Sequence, residues 1–90
     1  MKILHFTLMP KWYDMIERGE KLEEYCNNNH YWQERLLSGE YDAVEFRCIY
    51  TQRTMTFRIK EIRLGKGKEK WGSGDDKVFI IELGERIKEI

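Results

Sequence analysis

The sequence predicts an α+β domain, a small mixed β-barrel of about five strands with two short capping helices. Five segments alternate apolar and polar residues or form continuous apolar runs, which is typical of strands. Two other segments carry an apolar stripe at helical spacing. Hydrophobic residues make up 41% of the chain and aromatic residues 13%, which favours a folded core over disorder. Closure into a barrel is a common way to hide the edges of such a sheet.

The first half of the chain is predicted to alternate strand and helix. Residues 3–9 alternate as a strand does, and Pro10 then opens a helix because its fixed φ suits the first helical position. Gly19 is expected to end that helix in the left-handed conformation. Residues 21–26 form a second, polar strand, and after three asparagines that favour a turn and a helix cap, residues 30–37 form a second helix.

The second half is predicted to contain three strands. Residues 43–50 form the third strand, with Tyr50 on the same face as Val44, Phe46 and Cys48. Residues 54–64 form the fourth. Its apolar parity changes after Ile59, so we expect a bulge near Lys60 and Glu61.

The end of the chain is predicted to be a loop, a buried strand and a tail. Residues 65–76 form a glycine-rich loop that carries Trp71 among three lysines. Residues 78–83 are apolar on both faces, as in a strand covered on both sides, and residues 84–90 are expected to be a short tail. Residues 1–90 contain no linker or repeat, so we expect a single domain.

Composition excludes several classes of function. The formal net charge is zero, which counts against tight, sequence-blind binding to duplex DNA or RNA, so any nucleic-acid contact must come from a local patch and no DNA specificity is expected. The two cysteines, Cys26 and Cys48, lack metal-ligand spacing. We therefore expect reduced thiols and neither a metal nor another cofactor. No targeting or membrane segment is visible, which predicts a cytoplasmic protein.

Residues 16–26, IERGEKLEEYC, resemble the signature of the ASCH family, G-x-K-x-x-E-x-R. Gly19, Lys21 and Glu24 match it, and Cys26 stands where the family usually has arginine. The order of elements is similar over nearly the whole chain. The resemblance implies a PUA-like barrel and a role in RNA metabolism, as in small stand-alone bacterial or phage members. One branch of the family removes an acetyl group from acetylated cytidine and has threonine where this chain has Glu24.

The candidate ligand-binding residues offer charge, hydrogen bonds and flat rings. Lys21 can hold a phosphate as a point charge or act as a base, and Glu24 can accept hydrogen bonds from a base edge. Arginine forks suit phosphates, and aromatic rings stack on bases. Glu24 can instead form an ion pair with Arg35, Arg47 or Arg58, and Trp71 can instead plug one end of the barrel. The candidates are Lys21, Glu24, Tyr25, Arg35, Arg47, Arg53 and Trp71.

Three hypotheses about function follow. The first is a module that binds single-stranded RNA or a modified nucleotide in a cleft between the second strand, the second helix and the glycine-rich loop. The second is a small hydrolase, a ribonuclease or amidohydrolase, with Lys21 and Glu24 as its catalytic residues. The third is a protein-interaction domain with a degenerate site, which the cysteine at position 26 favours. The sequence leaves the oligomeric state open.

Overall fold

The fold is α+β, with two helices and a five-stranded sheet that curls into a half-barrel. The structure is a computed structural model and describes residues 1–88, apart from the side chain of Ser38. In chain order the elements are β1 (Ile3–Leu8), α1 (Pro10–Glu17), β2 (Glu23–Asn27), α2 (His30–Ser38), β3 (Ala43–Cys48), β4 (Thr54–Gly65), a 3-10 turn (Glu69–Trp71) and β5 (Val78–Ile87). The α+β class, the five strands and the two helices confirm the prediction from sequence.

The strands lie in the order β1-β3-β4-β5-β2, with β1 parallel to β3 and every other pair antiparallel. β1 and β2 are therefore the two edges of the sheet over the described residues. Both helices cover its inner face. The core there joins the strand residues Val44, Phe46 and Ile81 to Tyr13 of α1 and Leu36 of α2. None of the described helices is long and apolar enough to cross a membrane.

Local signals set the ends of both helices as predicted. Pro10 is the first residue of α1, and Gly19 has a φ of 79° just beyond its end. The Gly19 N–H donates to the Ile16 carbonyl, which satisfies one of the free acceptors of the last turn. At the start of α2 the Asn29 side chain accepts a hydrogen bond of 3.0 Å from the Trp32 N–H.

The predicted irregularity in β4 is present, and beyond it the last strand is longer than predicted. The register of β4 against β5 shifts between Phe57 and Ile59 and again between Ile59 and Glu61. Beyond the shifts β5 continues to Ile87, which pairs with Thr56. The prediction of a tail from Gly84 was therefore wrong up to Ile87, because pairing with β4 outweighs the poor strand propensity of glycine. Residues 89 and 90 of that predicted tail lie outside the described part.

Two other strand boundaries differ from the prediction by two residues. β3 ends at Cys48, and Tyr50 and Gln52 adopt positive φ values of 71° and 61° in the turn to β4. The prediction that Tyr50 shares the core face of β3 was wrong, since its side chain is 76% exposed. β2 begins at Glu23, so Lys21 lies in the connection before the strand. Tertiary pairing sets both boundaries, and neither has a local signal.

Candidate functional site

A buried ion pair joins Lys21 and Glu24 at the edge of the sheet. The turn after α1 fixes Lys21, whose N–H donates to the Met15 carbonyl at 3.0 Å. Its Nζ lies 2.9 Å from Oε2 of Glu24, and Lys21 is only 1% exposed. The other oxygen of Glu24 accepts a hydrogen bond of 2.9 Å from the Tyr25 N–H. Glu24 thus points inward, and its cationic partner is Lys21 rather than an arginine.

Two aromatic rings flank the ammonium group of Lys21. Its Nζ lies 5.4 Å from the ring centroid of Trp12 and 5.5 Å from that of Tyr25. Both distances suit attraction between a cation and a π face. Burying an ion pair costs desolvation energy that its own attraction often fails to offset, so such a pair is weak evidence for a purely stabilising role. The pair is therefore a candidate for function.

The glycine-rich loop lies over this pair and is tied to Tyr25. The Lys68 N–H donates to the phenolic oxygen of Tyr25 at 2.9 Å, and the Tyr25 hydroxyl donates to Oε1 of Glu23 at 2.9 Å. Burial, with a smaller contribution from the hydrogen bond to Glu23, raises the pKa of Tyr25 to about 12, against the lowering effect of the Lys68 N–H. Gly67 is required here, because a Cβ would come within 2.7 Å of the Tyr25 ring.

Three lysines stand over two tryptophan rings on the outside of the same region. Nζ of Lys11 lies 4.6 Å from the ring centroid of Trp12. Nζ of Lys68 and of Lys70 lie 4.6 Å and 5.0 Å from that of Trp71. We call these five residues the lysine–tryptophan surface. None of its three lysines forms an ion pair within residues 1–88, so their charges are available to an anion.

Gly72 brings the two tryptophans of this surface together. Its φ is 96°, and a Cβ there would lie 3.1 Å from the Trp12 ring. Trp71 is itself buried, at 5% exposure. The ring is therefore not open to a base in this conformation. It anchors the loop and supports the two lysines, and stacking on a base would require the loop to move.

The three candidate arginines lie elsewhere. Arg53 binds Asp14 at 3.1 Å and Glu17 at 3.3 Å on α1. Arg35 lies 4.4 Å from the ring of its helix neighbour Tyr31, and Arg47 donates to Gln52 at 3.4 Å. Within residues 1–88 none of the three contacts Lys21 or Glu24 by a hydrogen bond or an ion pair.

The Cys26 side chain is buried on the inner face of β2, at 3% exposure. Burial, and secondarily the charge of Glu24, raises the pKa of its thiol to about 12. Position 26 thus supplies neither the cation of the family signature nor a thiolate nucleophile at neutral pH. In the described residues no group of three or more His, Cys, Asp or Glu side chains is arranged to hold a metal ion.

Sequence reasoning did not include Lys11 or Trp12 among the candidates, although Trp12 is half-buried beside both Lys21 and Gly72. The available signal was the adjacent Lys-Trp pair in the first turn of α1, since a lysine beside an exposed ring often lies on it. The contact with Gly72 had no signal in the sequence, because 60 positions separate the two residues along the chain (72 minus 12).

Comparisons with family models, with curated proteins and with solved structures found no match to this chain. The resemblance to the ASCH family therefore stays a prediction from the sequence.

Proposed function

We propose that this chain is a PUA-like module of the ASCH type that binds single-stranded RNA or a nucleotide-like ligand on the lysine–tryptophan surface. One observation carries the proposal: Lys11, Lys68 and Lys70 converge on two neighbouring rings without ion-pair partners in the described chain. In a chain of zero net charge this is a local concentration of free positive charge. Lysine binds phosphate as a point charge, so the ligand's phosphates contact these three residues.

The Lys21–Glu24 pair contributes from beneath this surface. The two charges of the pair neutralise each other. The Glu24 carboxylate accepts a hydrogen bond from the Tyr25 N–H, and the Tyr25 hydroxyl accepts one from the Lys68 N–H. The pair therefore positions the loop that carries two of the three lysines. If the loop swings away from Tyr25, Lys21 and Glu24 become open to a base or a phosphate that lies on the surface.

The test is fluorescence anisotropy of a labelled single-stranded RNA at low salt. Lys68→Ala/Lys70→Ala removes two contacts, each of the strength of an exposed ion pair, so we expect affinity to fall roughly tenfold. Lys2→Ala is the matched control, because Nζ of Lys2 also stands over a ring, 4.7 Å from that of Tyr41, beside the opposite edge strand β1. Equal affinity of the wild type and the double variant would refute the proposal.

The contact between Lys21 and Glu24 favours a hydrolase that acts on RNA or a modified nucleoside as a second candidate. Once the loop has swung away from Tyr25, a lysine and a carboxylate 2.9 Å apart can exchange a proton with a bound substrate. Product analysis after incubation with RNA and with acetylated cytidine tests it. Turnover must disappear in Lys21→Met under conditions where circular dichroism shows that this variant is still folded. Turnover that persists in Lys21→Met rules out this assignment.

A further inference from the structure

A second candidate ligand site lies between α2 and the sheet, next to the ends of β4 and β5 that the loop joins. A groove of about 370 Å³ opens there, with Leu36 and Leu37 on the helix side and Ile62, Leu64 and Phe79 on the strand side. Leu64 pairs with Phe79 across the sheet, so both face the groove. Leu37 is 76% exposed and Leu64 50%, which is unusual for leucines that face each other across a cleft. We call it the α2 groove.

The rim of the α2 groove carries two amides with unused hydrogen-bonding groups. Gln33 Nε2 donates to Asn28 Oδ1 at 3.0 Å, which leaves Oε1 of Gln33 as an acceptor and Nδ2 of Asn28 as a donor. Reversing both amides still leaves one donor next to one acceptor. Arg63 also borders the groove, but Glu23 and Glu82 bind its guanidinium at 2.9 Å and 2.7 Å. The groove is therefore apolar with an uncharged polar edge.

We propose that the α2 groove binds an amino-substituted heterocyclic base of the adenine or cytosine type. The flat ring packs on Leu37, Ile62 and Leu64. Its exocyclic amine donates to one amide oxygen, and the adjacent ring nitrogen accepts from the neighbouring amide N–H. Asparagine and glutamine amides recognise adenine by this donor–acceptor pair. The volume falls at the lower end of the range for small-molecule pockets, which suits a single base.

The inference deepens the proposed function and rests on it in treating the base as part of the same nucleotide-like ligand. Asn28 comes three residues after Tyr25, which binds the loop through the Lys68 N–H, so the amide rim of the groove lies roughly 10 Å along the chain from that contact. The lysine–tryptophan surface then holds phosphates, and the groove reads a base. Because the groove lacks a free cation, a nucleoside without any phosphate is sufficient to probe it alone.

The experiment is a titration of the intact, ¹⁵N-labelled chain with adenosine and with purine riboside, followed by NMR. The two ligands share ring and sugar and differ only in the exocyclic amine. Adenosine is expected to bind about tenfold more tightly, the lower part of the range for one good base contact. Shifts of Asn28, Gln33 and Leu37 should accompany binding. Equal affinities, no binding at millimolar nucleoside, or shifts confined to residues 66–73 would overturn the inference.

Gln33→Met keeps the length of the side chain and removes its polar edge, so the preference for adenosine should vanish. Lys68→Ala/Lys70→Ala should leave adenosine binding unchanged, because no phosphate takes part. If the lysine variant loses RNA binding while adenosine and purine riboside bind with equal affinity, the groove proposal alone is refuted. Selective adenosine binding by a chain that fails to bind RNA refutes the proposed function alone.

Discussion

The charges of Lys21 and Glu24 compensate each other where water has little access, since the Lys21 side chain is 1% exposed and that of Glu24 12%. Removing one partner leaves the other charge buried and unpaired, which typically costs about 3–5 kcal/mol. Glu24→Gln is therefore expected to lower the free energy of unfolding by about 3 kcal/mol, measured by urea denaturation. The exposed pair Arg18–Glu20, 2.8 Å long against 2.9 Å for the buried pair, provides the control, and Glu20→Gln should change stability little.

The double variant Lys21→Met/Glu24→Gln separates the ion pair from simple packing. Once both charges are gone, nothing is left buried without a partner, so the double variant should be more stable than Glu24→Gln by about 1 kcal/mol or more. A double variant whose loss equals the sum of the two single losses would show that the side chains act independently, in contradiction to the ion pair described above.

The Cys26 thiol should be inert in the folded chain. Its pKa of about 12 keeps it protonated at neutral pH, and its side chain is buried. We expect Ellman's reagent at pH 8 to react slowly with the native chain and rapidly with both cysteines in guanidinium chloride. One thiol per chain that reacts rapidly in the native state would contradict this prediction. The thiol of the unfolded chain ionises first, near its ordinary pKa of 9.0, so Cys26 lowers stability as pH rises from about 9 to about 12.

At the scale of elements, Gly72 joins the loop to α1 and Gly19 ends that helix. Both have positive φ, but a Cβ at Gly72 would meet the Trp12 ring at 3.1 Å, whereas nothing lies within 4 Å of one at Gly19. Gly19→Ala should cost about 1 kcal/mol for the backbone alone, and Gly72→Ala should cost more than that.

Gly74→Ala is the neutral control for this pair, since no positive φ and no close atom are found there. The measurement is thermal unfolding of the three variants. If Gly72→Ala is no worse than Gly19→Ala, the contact between the loop and Trp12 is not part of the stable fold.

The elements that the sequence predicts well are those with local causes. Pro10 and Gly19 bound α1, Asn29 caps α2, and the change of parity after Ile59 announces the bulge. What could not be predicted depends on pairing across the chain. The extension of β5 to Ile87 is one such case, because it exists through its pairing with Thr56 and has no apolar alternation of its own.

The same distinction applies to the candidate site. The resemblance to the ASCH signature pointed to Lys21 and Glu24 as site residues. They are three positions apart in the chain, and their side chains are in direct contact. The sequence also predicted the glycine-rich loop with its lysines, but not the part of the fold that the loop contacts. That Lys68 reaches Tyr25, and that Gly72 reaches Trp12, depends on how the loop folds back over the edge strand β2. Arg53 was a candidate because its guanidinium fork suits phosphates, but two carboxylates of α1 bind it.

For the molecule as a whole, zero net charge makes the salt dependence of RNA binding diagnostic. A uniformly basic protein releases many counterions, whereas this chain can release only those displaced by its local patch. With three lysines in contact and about 0.7 counterions released per phosphate on a single strand, the logarithm of the association constant should fall with a slope of about −2 against the logarithm of the salt concentration.

Lys68→Ala/Lys70→Ala leaves one of these contacts, so its slope should shrink to about −0.7, while Lys2→Ala keeps the wild-type slope. Anisotropy over a salt series measures all three. A wild-type slope near zero would mean that binding, if present, does not use phosphates. A slope that the double variant leaves unchanged would place the phosphate contacts on other cations. The ligand is located on the lysine–tryptophan surface only if the slope becomes shallower in Lys68→Ala/Lys70→Ala and stays unchanged in Lys2→Ala.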